Sequence, residues 1–496
     1  MLIFIFTFYL LFLFLAIKRV DWALMLLLAM LPSYLIRFSV FGIPATLLEM
    51  MILICFTVWF VQKTEFKNFL RGKYGWRDFF INKKKRASYL FAPEIALWLI
   101  VSYIAMIPSG FSNASFGIWK AYFFEPLLVY ILIINIFKPG QKSFQKIILP
   151  LAISTCALSL IAIFQKFTGL FVVEHFLPRV TSVFSYPNAL GLFLAPIILI
   201  LIGFLIQELT NFPPRADQPP AEKNKGQSCQ LCQKYNLILF LITSVILSLS
   251  AIYFASSEGA LVGVLAGLIA FGILANKKSR ITTIIILIIL SGATFTIPKL
   301  KSYALQKVTL KDLSGEIRKQ QWRETWTMLH DGNKILGSGL SNYQNKIAPY
   351  HQEGIFFNFS NDPDFRRKIV IFDDKYRAEH WQPVEIYMYP HNILLNFWTE
   401  IGFLGMLVFV WIVDKFFIIA IQNSKFKIQN SNYFLNLGLT CSMVTIIVHG
   451  LVDVPYFKND LSVIFWVIIA LISLIKLSNS IKPDNPNYEP KPKTKK

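Results

Sequence analysis

Apolar runs long enough to cross a bilayer recur along most of this chain. No water inside the hydrocarbon can satisfy a stray N–H or C=O, so such runs fold as helices. About 17–25 residues suffice for one crossing. The runs fall at about 2–17, 22–36, 44–61, 91–107, 118–137, 147–167, 189–207, 236–254, 259–275, 281–297, 393–420, 434–450 and 461–477. They predict an all-α polytopic membrane protein of about 12–13 transmembrane helices, the first two being short. Composition agrees, with 55% of the 496 residues hydrophobic and 16% charged, where a soluble chain carries about 25% charged residues. A soluble globular enzyme and a disordered chain are both excluded.

The net charge of +21 would point to nucleic acid in a soluble protein. In a membrane protein it is read by position, because Lys and Arg gather in cytoplasmic loops; no nucleic-acid partner is expected. Residues 62–87 hold Lys63, Lys67, Arg71, Lys73, Arg77, Lys83, Lys84, Lys85 and Arg86. Alternate connections continue the series with Lys138, Lys142 and Lys146, then Arg215, Lys223, Lys225 and Lys234, then Lys277, Lys278 and Arg280, then Lys425 and Lys427. The connections between them carry little beyond Arg37, Arg179 and Lys458. This alternation assigns the basic set to the cytoplasm and the N-terminus to the outside.

The expected organisation is ten transmembrane helices in 1–297, with cytoplasmic linkers 62–87 and 210–235. A large extracytoplasmic loop or lid follows at 298–390, then the C-terminal transmembrane helices at 391–477 and a basic, disordered tail at 478–496. Within the lid, Leu313 to Leu336 reads as a helix with Ile317, Trp322, Trp326, Met328 and Leu329 among its apolar positions. Cys229 and Cys232 form a single CxxC with neither a second pair nor histidines nearby, so no zinc site is expected. Asp362, Asp364, Asp373 and Asp374 are acidic pairs followed by or close to Arg366, Arg367 and Lys368, and read as solvated.

The polar residues that are expensive near a membrane gather on the outer side. Arg179 either contacts lipid headgroups or serves a site, and Asn188 is a fair helix cap. Glu258 opens a helix, where the dipole favours a carboxylate, while Gly259, Gly263 and Gly267 read as a packing ridge. Asp453 is placed to pair with Lys458. Glu400 lies about two turns inside a span, where ionisable groups are functional candidates by default. His391, between Pro390 and Asn392 at the mouth of that span, can take a proton from a hydroxyl at ordinary pH.

The ordered motifs RVTSVFSYPN, SSEGA, IRKQQW, ILGSGLSNY, PHNILLNFWTEIGFLG and HGLVDVPYFKND resemble the O-antigen ligase and polymerase superfamily over about residues 175–460. These are bacterial integral-membrane glycosyltransferases. The resemblance implies a glycosyltransferase C-like helical fold with a large extracytoplasmic loop over the site. It also implies transfer of a glycan from an undecaprenyl diphosphate carrier to an acceptor hydroxyl, with no metal or other cofactor. The family's catalytic His falls on His391, its loop Arg on Arg318, and the Arg of its R…PN segment on Arg179. Asn392, Glu400 and Asp453 lie in the same motifs, Arg323 directly follows IRKQQW, and all four join the substrate-binding candidates. The family often carries Arg where this chain has Glu258, so Arg179, Arg323 or Lys120 would have to supply the missing charge.

The expected partners are a lipid-linked glycan donor, a glycan, lipid or protein acceptor, and membrane lipids. The expected location is the bacterial cytoplasmic membrane, with the site on its outer face. Ligase, polymerase and protein O-glycosyltransferase share this core. A lipid-linked glycan transporter is the non-enzymatic alternative.

Overall fold

The computed structural model describes residues 2–40, 43–63, 89–211, 225–360, 362–371, 374–424 and 432–480. Most of the basic stretch 62–87, the Pro-rich run 212–224, Lys425, Lys427, Asp373 and the tail beyond Ser480 lie outside the described residues, as does the side chain of Cys229. The protein is an all-α polytopic membrane protein. Among the described residues, ten helices are long and apolar enough to cross a membrane, and three more are apolar but shorter.

The short ones are α1 (Leu2–Lys18), α2 (Val20–Ala29) and α3 (Leu47–Gln62). The predicted second run, 22–36, ends early as a helix because Pro32 sits in a 3-10 turn, Leu31–Leu35. The chain then forms a hairpin of β1 (Arg37–Val40) and β2 (Ile43–Thr46), paired antiparallel. A 3-10 turn extends α4 (Ala92–Ile104) to Ser109. The next span joins α5 (Asn113–Ile118) to α6 (Glu125–Ile136) through a π-helical stretch, Trp119–Phe124. There follow α7 (Gln141–Thr168), α8 (Pro187–Thr210), α9 (Lys225–Ala255), α10 (Glu258–Ala275) and α11 (Lys277–Thr296).

The long connection contains α12 (Pro298–Val308), α13 (Leu313–His330) and the short α14 (Tyr343–Ile347), α15 (Phe365–Val370) and α16 (Asp374–His380). It also holds a two-stranded pair, β3 (Gly354–Phe356) with β4 (Trp381–Pro383). The predicted helix to Leu336 stops at His330, because Gly332 at φ 83° turns the chain out of the helical region. The last spans are α17 (Ile393–Ser424), α18 (Tyr433–Gly450) and α19 (Asn459–Ser480).

Side chains at the helix ends tie the spans together at both ends of the bundle. At one end Gln62 donates to the Ile17 carbonyl (2.8 Å), Gln141 to Glu208 (2.8 Å) and the Tyr433 hydroxyl to the Ala275 carbonyl (2.9 Å). At the other end Arg179 donates to the Ala255 carbonyl (2.9 Å) and Asn392 to the Leu451 carbonyl (3.1 Å). The long connection stands at this second end, opposite the basic loops.

The bundle centres on α8 and α19, most of whose residues are buried. Lipid is as apolar as leucine, so helix association relies on close packing and small residues. A Cβ added to Gly203 of α8 would lie 2.6 Å from Gly438 Cα of α18. The glycine ridge of α10 also packs on α18, where a Cβ on Gly267 would come within 2.4 Å of Thr445 Oγ1. By contrast α11 buries no residue. It leans on α10 along a narrow seam of half-buried Ser279, Thr283 and Leu287, and its other apolar side chains face outward.

A break in α17 places the functional end. Ile401 (φ −124°, ψ 16°) and Gly402 (φ 75°, ψ 173°) leave the helical region, which frees backbone groups that a helix would pair. The segment 334–341 supplies their partners. Ser338 N and Gly339 N donate to the Thr399 carbonyl (2.7 and 3.1 Å), and Phe403 N donates to the Ile335 carbonyl (2.9 Å). Trp398 Nε1 donates to the Lys334 carbonyl (2.7 Å) and Ser341 N to the Glu400 carboxylate (3.0 Å). An unpaired buried backbone group is costly, so this seam ties the long connection to the membrane bundle.

Candidate active site

Ser314, Arg318 and Gln321 fall at helical spacing and so share one face of α13. That face meets two loops at once. Arg318 Nε donates to the Val452 carbonyl (3.1 Å) in the α18–α19 turn, and its Nη1 donates to Ser314 Oγ (2.8 Å). Gln321 accepts through Oε1 from Nδ1 of His391 (3.0 Å). One residue on, Trp322 Nε1 donates to the Pro390 carbonyl (2.8 Å).

His391 itself is at φ 46°, a left-handed conformation uncommon for a residue with a side chain. The contacts on either side hold it there, and the rings of Tyr387 and Tyr389 lie 5.1 and 4.8 Å from its imidazole. An amide oxygen only accepts, so Nδ1 carries the proton and Nε2 keeps its lone pair. Burial, and secondarily the Arg318 charge, lower the His391 pKa to about 4. The imidazole is therefore a neutral proton acceptor throughout the physiological range.

Beside it opens a cavity of about 320 Å³ whose wall includes Arg179, Asn188, Glu258, Lys307, Arg318, His449 and Asp453. Arg179 is fixed by the Ala255 carbonyl, by Asn188 Oδ1 (2.9 Å) and by the Ser256 carbonyl (3.3 Å). Burial lowers its pKa and Glu258 opposes the shift. Asn188 thus orients an arginine; the N-cap position of α8 belongs to Tyr186. Glu258 pairs with Lys307 (2.6 Å), which also pairs with Asp312 (2.9 Å). Asp453 is buried and accepts from Val454 N (2.9 Å), and burial raises its pKa. His449 packs its ring where a Cβ on Gly259 would stand, 2.8 Å away.

His391, Asn392, Arg318, Arg179, Glu258 and Asp453 are thus gathered at one end of the bundle, although His391 stands beside the cavity and not in its wall. Arg323 points to a different groove of about 500 Å³ on another face of α13, with Lys319, Trp322 and Trp326. Glu400 is buried in the α17 break, accepting from Ser341 N. Lys120 is engaged with Glu49. Of the three residues expected to replace the absent arginine, only Arg179 lines the cavity. Lys458 lies 4.1 Å over the Tyr186 ring, and no ion pair joins it to Asp453 among the described residues. Asp362 accepts from Lys368 (2.7 Å) and Tyr376 (2.8 Å).

Two residues of the site escape the sequence reasoning. Gln321 sits inside the IRKQQW motif, and its spacing from Arg318 carried the signal. Lys307 carried none, since lysines recur through α12 at Lys299, Lys301 and Lys307.

The fold and site define a multi-pass membrane protein with a cation-rich cavity at the end of its helical bundle. Residues 243–410 match the family model described as O-Antigen ligase, and this stretch is similar to the O-antigen ligase/polymerase superfamily. The match runs from α9 to α17 and so includes α13, the long connection and His391. No curated protein matches the chain. The family indicates a membrane glycosyltransferase-like function.

Proposed function

We propose that this protein moves a glycan from an undecaprenyl diphosphate carrier to an acceptor hydroxyl at the outer face of the cytoplasmic membrane. Transfer is metal-independent, and His391 is the general base. The observation that carries the reading is the His391 imidazole, bonded through Nδ1 to Gln321 one turn along α13 from Arg318. Arg318 and Arg179 line the adjacent cavity. A polyprenyl diphosphate needs lipid for its tail and cations for its head, and guanidinium groups donate in the paired geometry that phosphate oxygens accept.

In the proposed step the acceptor oxygen attacks the anomeric carbon while its proton passes to His391 Nε2. The carbon–oxygen bond to the diphosphate breaks, and the leaving oxygen keeps the electron pair. Arg179 and Arg318 stabilise the charge that grows there. A single displacement inverts the anomeric centre. Asn392 holds the Leu451 carbonyl (3.1 Å) and thereby the turn bearing Asp453. The tryptophans of the long connection offer faces for sugar rings, and its bulk excludes water from the donor. Ligase, polymerase and protein O-glycosyltransferase differ only in the acceptor.

The test is glycan transfer by the purified, reconstituted protein with undecaprenyl diphosphate oligosaccharide, a panel of acceptors, and EDTA. Transfer is expected to survive EDTA. Arg318→Ala is expected to weaken donor binding about tenfold or more, the value of one charged hydrogen bond. Donor binding without transfer to any acceptor, together with carrier movement across the vesicle, would replace this reading with the transporter.

A further inference from the structure

We infer that Lys307 is a third cation of the diphosphate site and that Glu258 is its exchangeable counter-ion, giving it up when the donor arrives. The inference rests on the donor site proposed above and concerns which residues of it make and release contacts.

The wall of the cavity sets three cations, Arg179, Lys307 and Arg318, against two carboxylates, Glu258 and Asp453. With Asp312 also paired to Lys307, the cations hold no surplus of charge for a dianionic diphosphate diester while Glu258 stays in place. The two carboxylates are not alike. Asp453 is 2% exposed and tied to Val454 N, so it stays. The Glu258 side chain is 56% exposed at the rim, and among the described residues its ion-pair partner is Lys307. It can turn into water at little desolvation cost, and rim ion pairs are easily exchanged.

Lys307 differs from the arginines in the same direction. Arg179 and Arg318 are locked to backbone carbonyls, whereas Lys307 donates its hydrogen bonds to side-chain carboxylates at 2.6 and 2.9 Å, with the Tyr303 ring 5.7 Å away. A flexible stem with a compact charge suits a group that changes partners. An incoming phosphate oxygen takes the place of Glu258 on Nζ, and Asp312 keeps the ammonium aimed at the cavity. With Glu258 withdrawn the site gains one net positive charge, the direction a dianionic diphosphate requires. The anionic residue at the start of α10 then serves as a placeholder that keeps Lys307 in position between turnovers.

The test is binding of undecaprenyl diphosphate to the full-length protein in nanodiscs, for wild type, Lys307→Gln, Glu258→Gln and the double variant. Lys307→Gln is expected to weaken binding about tenfold, Lys307→Arg to restore most of it, and Lys301→Gln, exposed on the same helix, to change nothing. Glu258→Gln is expected to tighten binding, because it frees the ammonium. That gain is expected to vanish when Lys307→Gln is added. A gain that persists in the double variant, or a loss on Glu258→Gln with an unchanged melting profile, overturns the exchange. Unchanged binding in Lys307→Gln overturns the third cation while leaving the donor site intact. Failure of wild type to bind the carrier at all removes both.

Discussion

His391→Ala is expected to lower glycan transfer by about a thousandfold while leaving donor binding within about twofold of wild type. General-base catalysis contributes about 10²–10⁴-fold, and here nothing else along the His391 contacts offers a neutral acceptor in the same place. The split between lost turnover and kept binding distinguishes a proton acceptor from a residue that merely holds the loop. Equal loss of both would reassign His391 to structure. The pH profile is a second, independent readout. A base must be unprotonated, and burial with the Arg318 charge holds the His391 pKa at about 4. The acid limb of kcat/KM is therefore expected near pH 4. Removing the cation in Arg318→Ala favours the imidazolium, so the limb moves up, toward the ordinary histidine value of about 6.5. Bound diphosphate acts in the same direction, which puts the limb of kcat above that of kcat/KM. A wild-type limb already near 6.5 would sink the assignment of a buried, cation-depressed base.

Gly402→Ala is expected to damage the fold strongly. At φ 75° and ψ 173° the residue occupies a region reached almost only by glycine. An added Cβ would lie 2.5 Å from the Ile335 carbonyl oxygen. Neither partner can yield, because Phe403 N is hydrogen-bonded to that same oxygen. Strain and clash together cost about 3 kcal/mol or more. The measurement is thermal unfolding in nanodiscs beside Gly292→Ala, where nothing lies within 4 Å of the new methyl. Gly292→Ala is expected to be neutral, and equal melting of the two variants would mean that the break carries no strain.

The helical membrane architecture was legible because a bilayer leaves an apolar run of this length almost no alternative. Where the runs were short and interrupted by proline, as at Pro32, composition overstated the helix. Candidate residues held in ordered motifs at loop ends, Arg179, Arg318, His391 and Asp453, fall around one cavity. Glu400 drew attention as an intramembrane carboxylate, and the contact it makes is to the Ser341 N–H of the segment that packs on the α17 break. No sequence rule announces such a break, because Gly402 looks like any glycine in an apolar helix until its partner segment is seen. Lys307 stayed hidden for a related reason. Its position depends on how α12 returns to the bundle, and that is a tertiary fact.

The exposed helix α11 bears on how the protein must be handled. It buries no side chain against protein and leads straight into α12, which carries Lys307. Acyl chains are therefore a structural component of the chain's most loosely anchored span, in the way that a neighbouring helix is for α8. Extraction into a micelle trades that ordered neighbour for a mobile one, and the loosening is transmitted to the rim of the cavity. Activity lost on solubilisation and regained on return to lipid would trace to this span, and the choice of solubilising medium becomes part of the structure being measured.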